Sequence, residues 1–343
     1  MMFEDLKGIE KEREERKREH TLEKLIEAGK KIIYEVMPGF KQKFRVEIRD
    51  EMQEKLDIEL KDVKYTENDI KEYIYANANK DIEMNPARIL GIYTGCLLTL
   101  LTQRNKKENK ETILYLDGKE NRFDYLFSHA KHFDAVVLDN FKGERICEGI
   151  ARQGKAGLIA VKNIEGDAVL YAAAHTGIMN LILAYDLKGD SSLWNIAMHG
   201  GTAGIAAARS VEGNNLMWNL AEKEDVLGAE SRIGLAIGDI ITGDNPFTRT
   251  QIPQEYGKIN KLLYGWQSGL HTINKYTMDK NKVIQHSQTP NKFTEEMKKY
   301  RMYEIFDLLK EMNEENHMKN IKKIREIYKT VEPMLWKKNV QAT

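Results

Sequence analysis

Almost continuous apolar runs in residues 88–164 constrain the fold of this chain more than any other feature of its sequence. Apolar residues in these runs are consecutive rather than alternate. Consecutive apolar residues are typical of parallel strands buried on both faces, whereas strands with one exposed face alternate. The pattern therefore predicts an α/β fold around a mostly parallel sheet. The predicted strands are RILGIY, TILYLD, FDAVVLDN and AGLIAVKN.

The segments between these runs are more polar and are long enough to form helices. Strand–helix–strand repetition within one sheet implies right-handed crossovers. We therefore predict an open sheet of the Rossmann type. The predicted crossover helices are GCLLTLLTQRN, NRFDYLFSHA and GERICEGIARQG.

Charged segments at both ends predict helical extensions to the sheet. Residues 1–35 mix charges of both signs with apolar residues near helical spacing, and residues 292–338 predict two amphipathic helices that stop before Pro333. The break between those two helices is expected near Glu314. No exact internal repeat is visible. The predicted divisions are residues 1–85, a helical and mixed N-terminal extension that includes a strand FKQKFRVEIRD and a capped helix TENDIKEYIYANA; residues 86–250, the Rossmann-like core; and residues 251–343, a helical C-terminal region.

Composition narrows the class of protein. Lys and Arg together equal Asp and Glu at 53 each, so the chain has no cationic surplus for a polyanion, and we expect no RNA partner. Two cysteines are too few for a disulfide framework or a cysteine-based zinc site, which favours a reducing cytoplasm. The first 20 residues are too charged for a secretory leader, and no apolar run is long enough to span a bilayer.

Two glycines bracket the first apolar segment. Gly91 and Gly95 are predicted to lie in the turn between the first strand and the first helix, where backbone can approach a ligand closely. Asp117 ends the next strand, 26 residues after Gly91, near the separation at which an acid binds ribose in dinucleotide-binding folds. The glycines alone are equally compatible with close packing of a helix.

Four blocks in this region, taken in order, resemble the fibrillarin-like methyltransferases. The blocks are ILGIYTGC, ILYLDGKENRFDYL, FDAVVLDN and GKAGLIAVKN, and the resemblance covers about 75 of the 343 residues. It implies an S-adenosylmethionine loop at Gly91 and Gly95, a ribose-binding Asp117, and a catalytic Asp139 and Lys162. After Lys162 the resemblance stops, and His175 is the nearest counterpart of the family's catalytic histidine.

The chain departs from that family in ways that narrow the resemblance. The segment between Asp117 and Asp139 is short, and Cys96 stands where a small hydroxyl residue is usual. A fibrillarin-like core with unrelated extensions is similar to the maturation proteins that assemble the iron-guanylylpyridinol cofactor of methanogen (Fe) hydrogenase. That resemblance implies S-adenosylmethionine or a guanylylpyridinol-type nucleotide as the ligand, and cofactor-assembly proteins as partners.

Their predicted positions also allow Asp139 and Lys162 to act as catalytic groups, independently of the resemblance. An acid at the carboxyl end of a buried strand faces the ligand cleft of a parallel sheet, where burial can tune it as a general base. An ammonium group on the neighbouring strand could stabilise an oxyanion or a phosphate. A helix N-cap for Asp139 and an exposed loop for Lys162 are the structural alternatives.

A second glycine cluster lies in MHGGTAGIAAARS. Gly200, Gly201 and Gly204 precede a predicted helix whose amide groups could bind phosphate, with Arg209 as a counter-charge. The alternative is a tight contact between helices, because the alanines that follow favour packing.

The histidines and cysteines do not form a recognisable metal motif. His175, His199 and His271 lie in the glycine-rich half, but neither Cys96 nor Cys147 falls at a ligand spacing from them, so no metal is predicted. The segment GDIITGDNPFT is predicted to be a turn.

These observations lead to one functional expectation and two alternatives. We expect a transferase-like, cytoplasmic cofactor-biosynthesis protein that acts on a small nucleotide-bearing molecule and forms a homodimer through its amphipathic ends. A fibrillarin-type RNA 2′-O-methyltransferase is the first alternative. A non-enzymatic scaffold or chaperone of a cofactor-assembly complex is the second.

Overall fold

The structure is a computed structural model. It describes the backbone of residues 2–217, 220–221, 231–242, 258–259, 262–266, 273–279, 282–288 and 290–336, and the side chains of residues 19–217, 220–221, 231–242 and 293–336. His271 and most of the predicted turn GDIITGDNPFT lie outside the described residues. Within the described part of the chain, no helix is long and apolar enough to cross a membrane.

Four helices precede the sheet. The predicted cap of the third is present: Thr66 accepts a hydrogen bond from the Asp69 amide, and the Asp69 carboxylate accepts one from the Thr66 amide. The predicted strand FKQKFRVEIRD is wrong, because Ile48, Met52 and Leu56 are spaced to face the core from a helix. The elements are α1 (Met2–Val36), a short 3₁₀ turn (Met37–Gly39), α2 (Arg45–Glu59), α3 (Glu67–Asn77) and α4 (Met84–Lys107).

A parallel sheet follows these helices, as predicted. Its first six strands run side by side in sequence order, all parallel, and four further strands continue from the sixth. Of these four, β7 and β8 pair parallel with β6, β9 pairs antiparallel with β8, and β10 pairs antiparallel with β9. The strands are β1 (Ile113–Asp117), β2 (His132–Asp139), β3 (Lys155–Glu165), β4 (Ile178–Lys188), β5 (Thr202–Glu212), β6 (Arg232–Thr242), β7 (Lys258–Ile259), β8 (Leu262–Trp266), β9 (Ile273–Asp279) and β10 (Lys282–Gln288).

Three helices end the described chain, where a helical extension was predicted, but two helices were expected and the predicted helical region 251–343 also contains strands β7–β10. The three helices are α5 (Pro290–Lys299), α6 (Met302–Lys310) and α7 (His317–Leu335). The predicted break near Glu314 lies between α6 and α7. The predicted stop before Pro333 is wrong, since α7 runs two residues past it.

The connections between β1 and β5 are not the predicted crossover helices. NRFDYLFSHA and GERICEGIARQG form successions of tight turns, in which alternate residues have positive φ, as in Tyr125, Phe127 and His129. Amide groups of one connection donate to carbonyls of the preceding one, for example Leu170 to Ile146 and Leu193 to Val169. The connections therefore stack as a second layer, which we call the turn layer, and each strand with its connection forms one coil. This stacking resembles a β-solenoid more than a Rossmann sheet.

The coils have a regular length. It can be seen in the sequence only once the pairing register of the strands is known. Residues paired across β2, β3, β4 and β5 follow one another at intervals of 23, 23 and 24 positions, as in Ala135, Leu158, Leu181 and Ile205. The chain therefore repeats in structure although no exact repeat is visible in its sequence. The repeat escapes notice because most of its positions require only a small or apolar residue.

A column of glycines marks the corners after β2, β3, β4 and β5. Gly143, Gly166, Gly189 and Gly213 have φ between +143° and +159°. A Cβ at Gly166 would overlap the carbonyl oxygen of Gly143, and the same relation holds between the later members. L-residues rarely adopt such φ values, so both the conformation and the space at this corner require glycine.

The sheet has two buried faces. The inner face, with Val136, Ile159 and Ile182, packs on the turn layer and belongs to one core with α1–α4. The outer face, with Val137, Ala160 and Leu183, packs on α5–α7. Burial on both faces explains why the strands are nearly continuous apolar runs.

Candidate functional site

A row of polar residues crosses the outer face at the carboxyl ends of the strands. Neighbouring members pair in register from strand to strand, so adjacent side chains lie next to one another. Three of the predicted site residues belong to this row. Its members, from β1 to β6, are Asp117, Asp139, Lys162, Tyr185, Arg209 and Asp239.

Asp139 and Lys162 form a buried ion pair in this row. The Lys162 Nζ lies 3.0 Å from Asp139 Oδ2, and both side chains are at most 10% exposed. Tyr115 donates its hydroxyl to the same carboxylate oxygen at 2.6 Å, and Asn163 donates to Oδ1 at 2.7 Å. Burial, with the Asp139 carboxylate as acceptor, raises the pKa of Tyr115 above its ordinary value.

The remaining donors of Lys162 form hydrogen bonds with backbone carbonyls at the connection between α6 and α7. Its ammonium group lies 2.6 Å from the carbonyl oxygen of Met312 and 3.3 Å from that of Lys310. An ammonium group has three donors, and Asp139 with these two carbonyls uses them all. Lys162 therefore fastens the α6–α7 connection to the sheet, and it has no donor left for a substrate.

Asp117 stands apart from this pair. Its Oδ1 accepts the Lys119 amide at 2.9 Å, and its carbonyl accepts the Tyr75 hydroxyl at 2.7 Å. These contacts cap a turn at the end of β1.

The far end of the row holds a second ion pair. Arg209 Nε lies 3.2 Å from Asp239 Oδ2, and the guanidinium group is 5.2 Å from the Tyr303 ring centre and 5.8 Å from that of Phe306. Burial raises the pKa of Asp239. Arg209 therefore balances an acid and packs under α6, away from the second glycine cluster that it was predicted to serve.

Gly91 and Gly95 lie inside helix α4, so the predicted strand-to-helix turn is wrong. A Cβ at Gly91 would overlap the carbonyl oxygen of Tyr125, and one at Gly95 would overlap that of Ser128. Both glycines are buried. They let α4 approach the first connection of the turn layer, which supports the close-packing alternative.

The second glycine cluster leads into a strand rather than the predicted helix. Gly200 donates its amide to the Ser231 hydroxyl at 3.0 Å, and Gly201 donates to the Met198 carbonyl at 2.9 Å. The space beside Gly204, in β5, is filled by the Tyr328 hydroxyl of α7. Gly201 and Gly204 therefore allow close contacts within the protein, and the Gly200 amide is used by a hydrogen bond within it.

His175 lies in the turn layer, at the opposite end of the strands from Lys162. Its ring centre is 4.3 Å from that of His199. Lys155, at the start of β3, pairs with Ile178, so seven residues of strand, about 23 Å, separate this level from the Lys162 level. Burial, together with the charge of Arg152, lowers the pKa of His175 to about 3.

The outer side of the turn layer carries a group of arginines around one acid. Glu148 is 4% exposed, and its Oε1 lies 3.3 Å from Arg145 and 3.7 Å from Arg45, the first residue of α2. The two arginine side chains are 32% and 40% exposed, so solvent reaches them.

Two more arginines adjoin this group. Arg49 donates to the Arg152 carbonyl and to Gln153 at 3.0 Å each, and it pairs with Asp50 at 2.7 Å. Burial, reinforced by Arg49 and Arg45, lowers the pKa of Arg152. Within the described residues, the four arginines meet carboxylates only at Glu148 and Asp50, which leaves two positive charges in excess.

Aromatic side chains continue the group along the next two coils. The Arg145 guanidinium lies 5.2 Å from the Tyr171 ring centre, and Tyr171 packs edge-on against Trp194 at 5.8 Å. Asn195 donates to the Tyr171 hydroxyl at 3.1 Å. We call the whole group the turn-face cluster. It consists of Arg45, Arg49, Arg145, Glu148, Arg152, Tyr171, His175, Trp194 and Asn195.

The turn-face cluster contains polar atoms that the rest of the described chain does not satisfy. Nε of Arg45, Nε of Arg152, Nδ1 of His175 and Oε2 of Glu148 are buried and have no hydrogen-bond partner among the described residues. Buried polar groups are normally paired, so a group of unpaired ones marks a candidate site.

Sequence reasoning found only His175 of the turn-face cluster. Arg45 and Arg49 were assigned to a strand, and Arg145, Glu148 and Arg152 to a helix, in which Glu148 has no relation to Tyr171 or Trp194. Their spacing of 23 residues places them in one column of the turn layer, so the coil length was the missing signal.

Cysteine and metal chemistry find no support within the described side chains. No group of three potential ligands is assembled there. Cys96 and Cys147 are buried free cysteines that form no disulfide, and burial raises the pKa of each thiol. Thiols of this kind act as packing residues.

No protein-family model, no curated protein and no solved structure matches this chain. The resemblance to the fibrillarin-like methyltransferases therefore stays a prediction.

Proposed function

We propose that the chain is a binding protein of cofactor assembly, and that its ligand is an anionic molecule of nucleotide type held at the turn-face cluster. The observation that carries this proposal is the excess of two positive charges around Glu148. Clustered arginines repel one another, and a phosphate or diphosphate relieves that repulsion through charge-assisted hydrogen bonds.

The aromatic half of the cluster supports a ring-containing ligand rather than a simple ion. Tyr171 and Trp194 lie next to Arg145, so a phosphorylated heterocycle can stack on a ring while its phosphate reaches the guanidinium group. Guanylylpyridinol-type nucleotides and S-adenosylmethionine are the ligands to test first. The guanylyl ligand, whose phosphodiester carries a negative charge, suits the charge excess better than the cationic sulfonium.

A transferase with a Rossmann-type site at the strand ends is the second candidate. The 3.0 Å contact of Asp139 and Lys162, with Asp117 on the adjacent strand, favours it. The same ammonium group is fully occupied by protein acceptors, so this candidate requires the α6–α7 connection to move away first. The observations support methyl transfer to RNA less well than transfer to a small molecule, because the chain has no cationic surplus for binding RNA.

Ligand-induced stabilisation distinguishes these candidates. The full-length protein is melted with GMP, ATP, S-adenosylmethionine, S-adenosylhomocysteine and a guanylylated pyridinol, and hits are titrated by calorimetry. A ligand at 100 times its Kd adds about 2.7 kcal/mol. We expect Arg145→Ala and Arg152→Ala to abolish the gain for nucleotides, and Arg122→Ala to retain it, since Arg122 is an exposed arginine that pairs with Asp124 on the same turn layer.

The same measurement contradicts the proposal if Lys162→Met removes ligand binding in folded protein while Arg145→Ala does not. That result would move the site to the strand ends. Absence of stabilisation by every ligand would leave the non-enzymatic scaffold as the better account.

A further inference from the structure

A groove beside the edge strand β1 is separate from both sites described above. It lies between the start of β1 and the outward side of α7, and it encloses about 540 Å³. In the described sheet, β1 pairs with β2 and no strand covers its other edge. The groove is lined by Glu111, Ile113, Met318, Lys319, Lys322, Arg325, Glu326 and Lys329.

The helical wall of this groove is cationic. Met318, Lys322, Arg325 and Lys329 fall at helical spacing and form one stripe of α7, while the opposite stripe is buried on the sheet. Arg325 is neutralised by Glu111 through two contacts of 2.7 and 3.0 Å.

Three exposed lysines of this wall form no close ion pair among the described residues. Within the described residues, no carboxylate lies within ion-pair distance of Lys319, Lys322 or Lys329, and all three side chains are exposed. They surround an apolar spot made by Ile113 and Met318, the latter 54% exposed. An apolar spot inside a rim of one charge is typical of a protein-binding surface.

The edge strand adds backbone hydrogen-bonding groups to this surface. In a parallel ladder alternate residues bond to the partner strand, and here the Thr112 carbonyl and the Gly118 amide face β2. By the same alternation, the peptide groups of Ile113 face away from β2, into the groove. An extended segment lying there could therefore use main-chain hydrogen bonds.

We infer that this groove binds an acidic, extended segment of a partner protein, with an apolar side chain of that segment seated between Ile113 and Met318. The three lysines supply the charge complementarity. Nucleic acid fits the groove less well, because no lining residue is aromatic and so none can stack against a base.

Fluorescence anisotropy with the full-length protein tests this inference. The probe is a labelled peptide of alternating Glu and Leu, about ten residues long, and the comparison peptides replace Glu by Gln or by Lys. We expect only the acidic peptide to bind, and we expect the double variant Lys322→Glu/Lys329→Glu to weaken binding by about tenfold or more. Met318→Ser is expected to weaken binding with little change in its salt dependence.

The matched control is Lys155→Glu/Lys188→Glu, which reverses two exposed lysines elsewhere on the protein. It should bind the acidic peptide like the wild type. Three results would overturn the inference: equal loss in both double variants, displacement of the peptide by an RNA oligomer at similar concentration, or a wild-type dimer in sedimentation that Lys322→Glu/Lys329→Glu dissolves. The last result would identify a second copy of the chain as the occupant.

Discussion

The two sides of the coil stack treat buried charge in opposite ways. On the outer face, Lys162 and Asp139 meet each other, and every donor of the lysine has an acceptor. On the turn layer, four arginines share two carboxylates, and buried atoms of Arg45, Arg152 and Glu148 have no partner among the described residues. The first arrangement satisfies its charges within the protein, whereas the second leaves polar atoms without a partner among the described residues.

The difference shows that a buried charged pair is not by itself a sign of catalysis. The cost of burying an ion is offset when its hydrogen bonds are satisfied, and such a pair can serve the fold alone. Unsatisfied groups with a charge excess point to a ligand more directly. Four measurements can break or sharpen this comparison.

The largest expected effect is on the outer face. Lys162→Met removes the partner of a buried carboxylate and the donors to the α6–α7 connection, so we expect a loss of about 3–5 kcal/mol in the free energy of unfolding. Chemical denaturation measures it. Lys155→Met, at the exposed start of the same strand, is the control and should change stability by about 0.5 kcal/mol or less. Equal stability of the two variants would show that the pair is not structural.

The corner that joins the two faces gives the second effect. Gly166→Ala places a Cβ against the Gly143 carbonyl at a φ of +159°, and we expect a loss of about 2–3 kcal/mol. The control is Gly39→Ala, where a Cβ makes only ordinary contacts with Lys43. If Gly166→Ala leaves the free energy of unfolding unchanged, the backbone at the corner can accommodate a Cβ. The glycine column would then not be required for stacking the coils.

The third effect is a dependence of stability on pH that comes from the turn layer. Because the pKa of His175 is lowered to about 3 in the folded chain, the unfolded chain binds its proton first, near pH 6.5. This contribution to stability is complete above about pH 6.5 and is lost as the pH falls toward 3. With solvent screening we expect a few tenths of a kcal/mol per pH unit.

Denaturation at several pH values between 7.5 and 4 detects this slope. His175→Gln should flatten it, whereas His20→Gln, on the exposed side of α1, should leave it unchanged. An unchanged slope in His175→Gln would assign the pH dependence to other groups, of which His129 is the first to test, since burial lowers its pKa well below the ordinary value.

The smallest expected effect is the most specific one. Arg145→Ala removes a partly exposed ion pair and a cation–π contact, so without ligand it should cost about 1 kcal/mol or less. With a nucleotide ligand present, the same variant should lose the whole ligand-induced gain. Thermal melts with and without ligand measure both quantities. A large loss without ligand would mean that the turn-face cluster is as structural as the Asp139–Lys162 pair.

The sequence predicted the parallel sheet and the helical ends, because burial on both faces and amphipathic spacing leave a clear pattern. Adjacency of Asp139 and Lys162 also followed from their positions at strand ends. The turn layer could not be predicted in the same way. Pairs such as Ile146 with Cys147 and Ile150 with Ala151 recur every four residues, which imitates a helix, while the actual backbone alternates the sign of φ.

Gly91 and Gly95 were misplaced for a related reason. An apolar run interrupted by glycine fits a strand followed by a turn, and it equally fits a buried helix that must approach another backbone closely. Only the position of Tyr125 and Ser128 beneath α4 decides between the two. Local pattern therefore identified buried segments correctly but not their conformation.

Helix α7 sets a limit on how such a protein can grow. A stack of equal coils could in principle gain or lose one by duplication or excision. Here α7 touches β1 through His317 and Tyr115, β5 through Tyr328 and Gly204, and β6 through Leu335 and Gly234. Its 19 residues extend about 28 Å, and six strands span about 24 Å. One inserted coil would make the sheet wider than α7 is long. The number of coils and the length of α7 must therefore change together.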